Sequence, residues 1–207
     1  MSATSDRTTA AALRGIIKSA SATGRRGLAG AWIDAAGRQC VCDGFRAVRL
    51  ARPVAGLPET DAAAAIDLDK VYPGDDFAGY TAVTLPAADA LKTFLAAVRR
   101  GEISGDNPTA WPLGVDDAGR VLPAVNAAYL LDIVRALPGA AAYARDAVSA
   151  LYFSSDAGDA LLLPLRMDPE RARARRAEIA AVLAAAPEDK RPALGLRAFA
   201  ALYAPAI

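Results

Sequence analysis

Histidine is missing altogether from this 207-residue sequence. Its absence removes Ser-His-Asp and Cys-His catalysis and every metal site that depends on imidazole. Neither a P-loop nor a GxGxxG segment occurs, so the common phosphate cradles are missing too. Cysteine is limited to Cys40 and Cys42, two apart in a strand-like run. Side chains two apart on a strand run parallel, and their Cα atoms sit near the limit for bridging, so buried free thiols are expected rather than a disulfide. Aromatic residues make up only 6%, without the interleaving of aromatic and basic residues that single-strand binders use. Charge of either sign is not in excess: the formal net charge is +1, and no global field draws the chain towards nucleic acid. No apolar run approaches the ~20 residues of a membrane span, and no charged-then-apolar leader opens the chain, so no membrane partner and a cytoplasmic location are expected.

What remains is a chain rich in apolar residues, 54% of the total, which argues against extended disorder. Much of that fraction is alanine, a strong helix former that buries little area. Residues 1–7 read as a loose terminus. A helix is expected over 9–22, capped by Thr8 or Thr9, with Leu13, Ile16 and Ile17 on its apolar stripe. Strands are expected at 28–34, 39–43 and 46–52, a short one at 66–70, and further ones at 80–85, 111–115, 148–154 and 160–165. An amphipathic helix follows Pro86 to about Arg100. Asn126 caps another, which Pro138-Gly139 ends. Asp168-Pro169-Glu170 opens a charged helix, interrupted at 187–192, and a last helix is expected over 193–203.

A turn of the form Asp-x-Ala-Gly-polar recurs at 34–38 and 116–120 and, shortened, at 156–159. Helix-then-strands recurs as well. Tight turns of this kind join antiparallel strands, so an α+β fold of helix-plus-antiparallel-meander units is expected.

The acidic run of Asp61, Asp67, Asp69, Asp75 and Asp76 carries oxygen ligands of the type hard cations prefer, but its spacing fits no EF-hand and it reads as a solvated loop. No cofactor, metal or catalytic residue is expected, and the chain does not read as an enzyme. Basic residues are segregated. Arg14, Lys18, Arg25 and Arg26 follow one another without an acid between them, and Lys92, Arg99 and Arg100 share the second helix with a single acid, Asp89. Placed on one face, they suit phosphate contact without base readout.

Two groups of residues carry a family resemblance. The run Asn126-x-x-Tyr129-Leu130-Leu131-Asp132-x-Val134, a hairpin, and then Leu163-Pro164-Leu165-Arg166-Met167 is similar to the end of the bacterial DNA sliding clamp, the beta subunit of DNA polymerase III. The run Cys42-Asp43-Gly44-Phe45-Arg46-Ala47, preceded by Arg25, Leu28 and Gly30, resembles a second marker of that family, with Phe45 where the family has histidine. The resemblance implies a shortened, divergent clamp-like protein. Residues 1–167 would form a clamp-like region, about 10–118 resembling a middle clamp domain and 119–167 the end of the last one. Residues 168–207 would form a helical extension. It further implies a non-catalytic role in DNA replication or repair, binding duplex DNA backbone, partner peptides of polymerases or repair proteins, or both, with a homo-oligomer as one assembly. The alternative is a structural or regulatory adaptor that no longer encircles DNA. By the resemblance, the peptide pocket would combine Arg25, Leu28, Cys42, Gly44, Phe45, Arg46 and Ala47 with Leu161, Leu163, Pro164, Leu165 and Arg166. The apolar residues Phe199, Leu202 and Tyr203 would be placed to cap it.

Overall fold

A computed structural model describes residues 3–61, 66–73, 78–116 and 119–186. Residues 75, 76, 117 and 187–203, on which several of the expectations above fall, lie outside that set. The fold is α+β, with four α-helices and mainly antiparallel strand pairing among the described residues. The chain divides into two compact units that interleave in sequence: Met1–Gly79, Asp132–Ala141 and Tyr152–Leu163 form the first, and Tyr80–Leu131, Ala142–Leu151 and Pro164–Ile207 the second.

In the first unit, helix α1 (Ala3–Ala22) packs on β2 (Gln39–Cys42). It begins earlier than the sequence indicates. Thr9 is therefore not a cap but a buried interior residue, and its hydroxyl donates to the Ala136 carbonyl at 3.2 Å. The strands run β1 (Trp32–Ile33), β2, β3 (Arg46–Leu50), β9 (Gly158–Leu162), β8 (Leu151–Ser155). The strand expected over 28–34 is cut to two residues because Arg26–Leu28 is a 3-10 turn. Gly30 then passes tightly against residues 59 and 60: a Cβ there would lie 2.5 Å from the Glu59 carbonyl carbon. The strand expected at 66–70 is instead a 3-10 turn, Leu68–Lys70, because the Asp67 carboxylate accepts the Asp69 N–H and tightens the chain.

β3 pairs with β2 on one side and β9 on the other, so it is central, and all five of its residues are buried. At its end, Leu50 lies opposite Gly158 (φ 144°). A Cβ on Gly158 would overlap the Arg49 carbonyl oxygen. Gly158→Ala is accordingly expected to destabilise the protein by about 3 kcal/mol or more, strain and overpacking acting together. Urea denaturation reads this directly, and a variant as stable as the parent would show that the β8–β9 turn has room to move off β3.

In the second unit, β4 (Thr81–Val83) pairs with β7 (Ala141–Ala144). Helix α2 (Ala88–Arg99) buries Leu91, Phe94 and Leu95. The Phe94 ring meets Trp111 edge-on at 5.2 Å. β5 (Ala110–Pro112) and β6 (Ala124–Asn126) form a two-stranded hairpin, so Pro112 removes no donor from a central ladder. At the start of α3 (Ala127–Ala136), the Asn126 side chain accepts the N–H groups of Ala128 and Tyr129, the cap its sequence signals. The Asp168 carboxylate does the same for Arg171 at the start of α4 (Pro169–Ala185), which packs on α2 and β5. The buried Arg175 fastens α4 by donating to the carbonyls of Pro108 (2.9 Å) and Ser104 (3.2 Å).

The described residues of the two full copies of the recurrent turn share four hydrogen bonds, one copy lying in each unit. At 34–38 the Asp34 N–H donates to the Arg38 carbonyl, Gly37 N–H to the Asp34 carbonyl, and the Arg38 N–H and Nε to the two Asp34 carboxylate oxygens. Asp116, Gly119 and Arg120 repeat all four bonds.

Candidate functional site

The bend Asp43-Gly44-Phe45-Arg46 joins β2 to β3. Its form follows from Asp43, whose side chain is fully buried. One carboxylate oxygen accepts the N–H groups of Phe45 (2.9 Å) and Arg46 (3.0 Å), an Asx-type turn, and Gly44 supplies the positive φ of 82° that follows. Arg46 returns over the bend, its Nε 3.1 Å from the other Asp43 oxygen and its Nη1 2.7 Å from Asp132. Gly15, in the middle of α1, makes room for this pair: a Cβ there would lie 3.1 Å from the Asp132 carboxylate. Burial pushes the Asp132 carboxyl above the usual carboxylate range, against the pull of the Arg46 charge.

The β3–β9 register places Arg46 opposite Leu162 and Ala47 opposite Leu161, and the Leu163 N–H donates to the Phe45 carbonyl at 2.8 Å. The bend and the end of β9 are therefore neighbours. Phe45 is 37% exposed and Leu163 48% exposed, two large apolar side chains on residues joined by one backbone bond. The Arg25 guanidinium lies over the Phe45 ring at 4.4 Å and also donates to the Asp43 carbonyl.

Other expected pocket residues are placed differently. Leu28, Cys42, Ala47 and Leu161 are buried among the strands and offer no surface to a partner. Arg46 is equally unavailable, because its charge is committed to Asp43 and Asp132. Gly44 is half-buried beneath Arg25. Pro164, Leu165 and Arg166 belong to the second unit, where the Leu165 N–H donates to the Ala124 carbonyl at 2.7 Å. Phe199, Leu202 and Tyr203 lie outside the described residues.

The expected basic residues separate into two groups. Arg14 donates to the Gly56 carbonyl at 3.1 Å, Arg25 is held as above, Lys92 pairs with Asp89 at 2.6 Å, and Arg100 pairs with Glu102. Lys18, Arg26 and Arg99 are exposed and take part in no ion pair among the described residues.

In the acidic run, Asp69 bridges Arg38 (2.7 Å) and Arg49 (2.6 Å), and Asp67 caps the 3-10 turn. These carboxylates serve cations of the chain itself. No cluster of three metal-ligating side chains occurs among the described residues.

Both cysteines are free and buried, as expected. Burial, aided by the Asp34 carboxylate, pushes the Cys40 thiol up to about 12, and burial raises Cys42 as well, so both stay protonated and unreactive near neutrality.

A second buried cluster went unread in the sequence. Arg49 forks onto Asp159 (2.8 and 2.5 Å) and lies over the Tyr72 ring at 3.7 Å. Tyr72 donates its hydroxyl to the Ala47 carbonyl, and burial holds its phenol well above the ordinary value. Arginines in an otherwise apolar strand pattern are the only local sign of such a cluster.

Comparison with known proteins finds no matching family model, no matching curated protein and no matching solved structure. No helix among the described residues is long and apolar enough to cross a membrane.

Proposed function

We propose that this chain is a non-catalytic, clamp-like binding protein that captures short apolar peptides at the Phe45–Leu163 patch. The observation that carries the reading is the register of β3 and β9, which sets the Asp43–Arg46 bend beside the end of β9. Phe45 and Leu163 leave a leucine or aromatic anchor two apolar surfaces to bury, and Arg25 gives a polar edge that fixes peptide direction. The matching Asp34 and Asp116 turns, one in each unit, support an architecture of repeated helix-and-hairpin units.

Leu163→Asp is expected to weaken binding of a labelled leucine- and phenylalanine-containing peptide by at least about tenfold, which is 1.4 kcal/mol. Leu163 is half-exposed, so the fold is expected to survive, and circular dichroism checks that it does. Peptide binding unchanged by this substitution, or absent from the parent protein, rejects the patch.

Contact with duplex DNA is the second half of the proposal, through the exposed Lys18 and Arg26 of the first unit and, taken separately, Arg99 of the second. If Lys18 and Arg26 each neutralise one phosphate, affinity falls about 12-fold between ~50 and ~200 mM salt. No binding at low salt removes this half. One observation favours the adaptor reading in that case: four of the seven expected basic residues, Arg14, Arg25, Lys92 and Arg100, already have partners within the chain.

A further inference from the structure

A cleft of about 850 Å³ opens in the first unit, away from the Phe45–Leu163 patch in the residues it uses. Its floor is aliphatic, with Ala10, Leu50, Val54 and Ala136 among the lining residues. Its polar lining is three arginines, Arg7, Arg14 and Arg52, and two aspartates, Asp6 and Asp156. The volume falls in the ~300–1,000 Å³ range of small-molecule sites.

Arg7 and Arg14 are seven residues apart on α1, two turns, so they share a face with Ala10 between them. Their backbones are separated by ~10 Å along the helix axis. Arg14 is braced by its bond to the Gly56 carbonyl, which orients its guanidinium and leaves further N–H donors over. Arg7 and Arg52 are exposed and have no ion-pair partner among the described residues, although Asp6 and Asp156 line the same cleft. Three like charges around one opening repel one another, Asp6 and Asp156 offset only part of that repulsion, and an anion between the arginines relieves the rest. Guanidinium forks match phosphate oxygens in pairs. The two carboxylates can only accept hydrogen bonds, and so call for hydroxyl donors on the same ligand.

We propose that this cleft is a binding site for a small polyhydroxylated molecule carrying phosphate at both ends, of the sugar bisphosphate class. One phosphate lies near Arg7 and the other near Arg14 and Arg52, with the hydroxyls of the intervening chain on Asp6 and Asp156.

The test is calorimetric titration of the full chain with fructose 1,6-bisphosphate, beside fructose and inorganic phosphate at matched ionic strength. The bisphosphate is expected to bind at least about tenfold more tightly than phosphate, and fructose to give no heat. Arg52→Glu and Arg7→Glu are each expected to weaken it by at least about tenfold, since each replaces an attraction by a repulsion. Both positions are exposed, so folding is not at stake, and neither belongs to the residues assigned to peptide or DNA. Retained peptide binding in both variants separates this site from the Phe45–Leu163 patch. No heat with the bisphosphate, affinity equal to that of free phosphate, or affinity unchanged in the variants overturns the proposal. So does displacement of the bisphosphate by duplex DNA in proportion to charge alone.

Discussion

Replacing Arg46 by alanine is expected to lower the free energy of unfolding by about 3–5 kcal/mol, the cost of leaving buried charge without its partner. The side chain of Arg46 is 2% exposed, that of Asp43 is fully buried, and that of Asp132 is 23% exposed. One guanidinium thus serves two carboxylates, and alanine abandons both. Asp43 keeps two backbone N–H donors from the bend, so the turn itself retains part of its support. Asp132 keeps less.

The pH dependence identifies the cause. Burial has already raised the Asp132 carboxyl, with the Arg46 charge pulling the other way. A carboxyl whose folded value is raised contributes stability that is fully present below the unfolded value and is lost as pH rises through the folded value. At neutral pH ionised Asp132 is therefore a cost that Arg46 offsets. Without Arg46 the carboxyl rises further, the cost at neutrality grows, and protonation relieves it. The deficit of Arg46→Ala relative to the parent is expected to shrink from pH 7 to about pH 5. Urea denaturation at both values measures it. Equal deficits would mean that the loss is one of packing and not of charge.

Local chemistry was readable at several positions where one side chain satisfies its own backbone neighbourhood, though not at Asp67, whose 3-10 turn reads as a strand. Asn126 and Asp168 cap α3 and α4 as their positions indicate. The Asp34 and Asp116 turns are legible for the same reason, because their bonds close within five residues. Reading failed where the partner is distant. Arg46 finds Asp132 86 residues on, and Arg49 finds Asp159 110 residues on. All five residues of β3 are buried, Arg46 and Arg49 included, although arginine is mostly an exposed residue. A central strand covered on both faces loses the period-two signal, and here carboxylates on other elements neutralise the arginines. β7 was missed because three of its four residues are alanine, which carries no strand preference. The candidate site divides along the same line. The family resemblance implied that the bend lies beside Leu161–Arg166, and Leu163 does lie beside it. Which side chains there remain accessible was not legible, because accessibility depends on what covers each face.

The second large effect is expected at Arg49. Arg49→Ala should also cost about 3–5 kcal/mol, since its side chain is 7% exposed and that of its partner Asp159 is 19% exposed. Arg49→Lys is the more informative change, because it keeps the charge and most of the length. A lysine cannot reproduce the two-pronged contact with Asp159, nor lie flat over the Tyr72 ring as the guanidinium does. It is expected to recover only part of the loss. Asp69 gives the internal contrast. It contacts the same arginine at 2.6 Å, but its side chain is 64% exposed, so Asp69→Ala should cost less than about 1 kcal/mol. Denaturation midpoints should therefore fall in the order parent, Asp69→Ala, Arg49→Lys, Arg49→Ala. Near-ultraviolet circular dichroism follows Tyr72, which also meets Tyr152 edge-on at 6.0 Å, and should change in both Arg49 variants. If Arg49→Lys matches the parent in stability and spectrum, charge alone accounts for what Arg49 adds to the β3–β9 pairing, and neither the fork nor the stacking contributes.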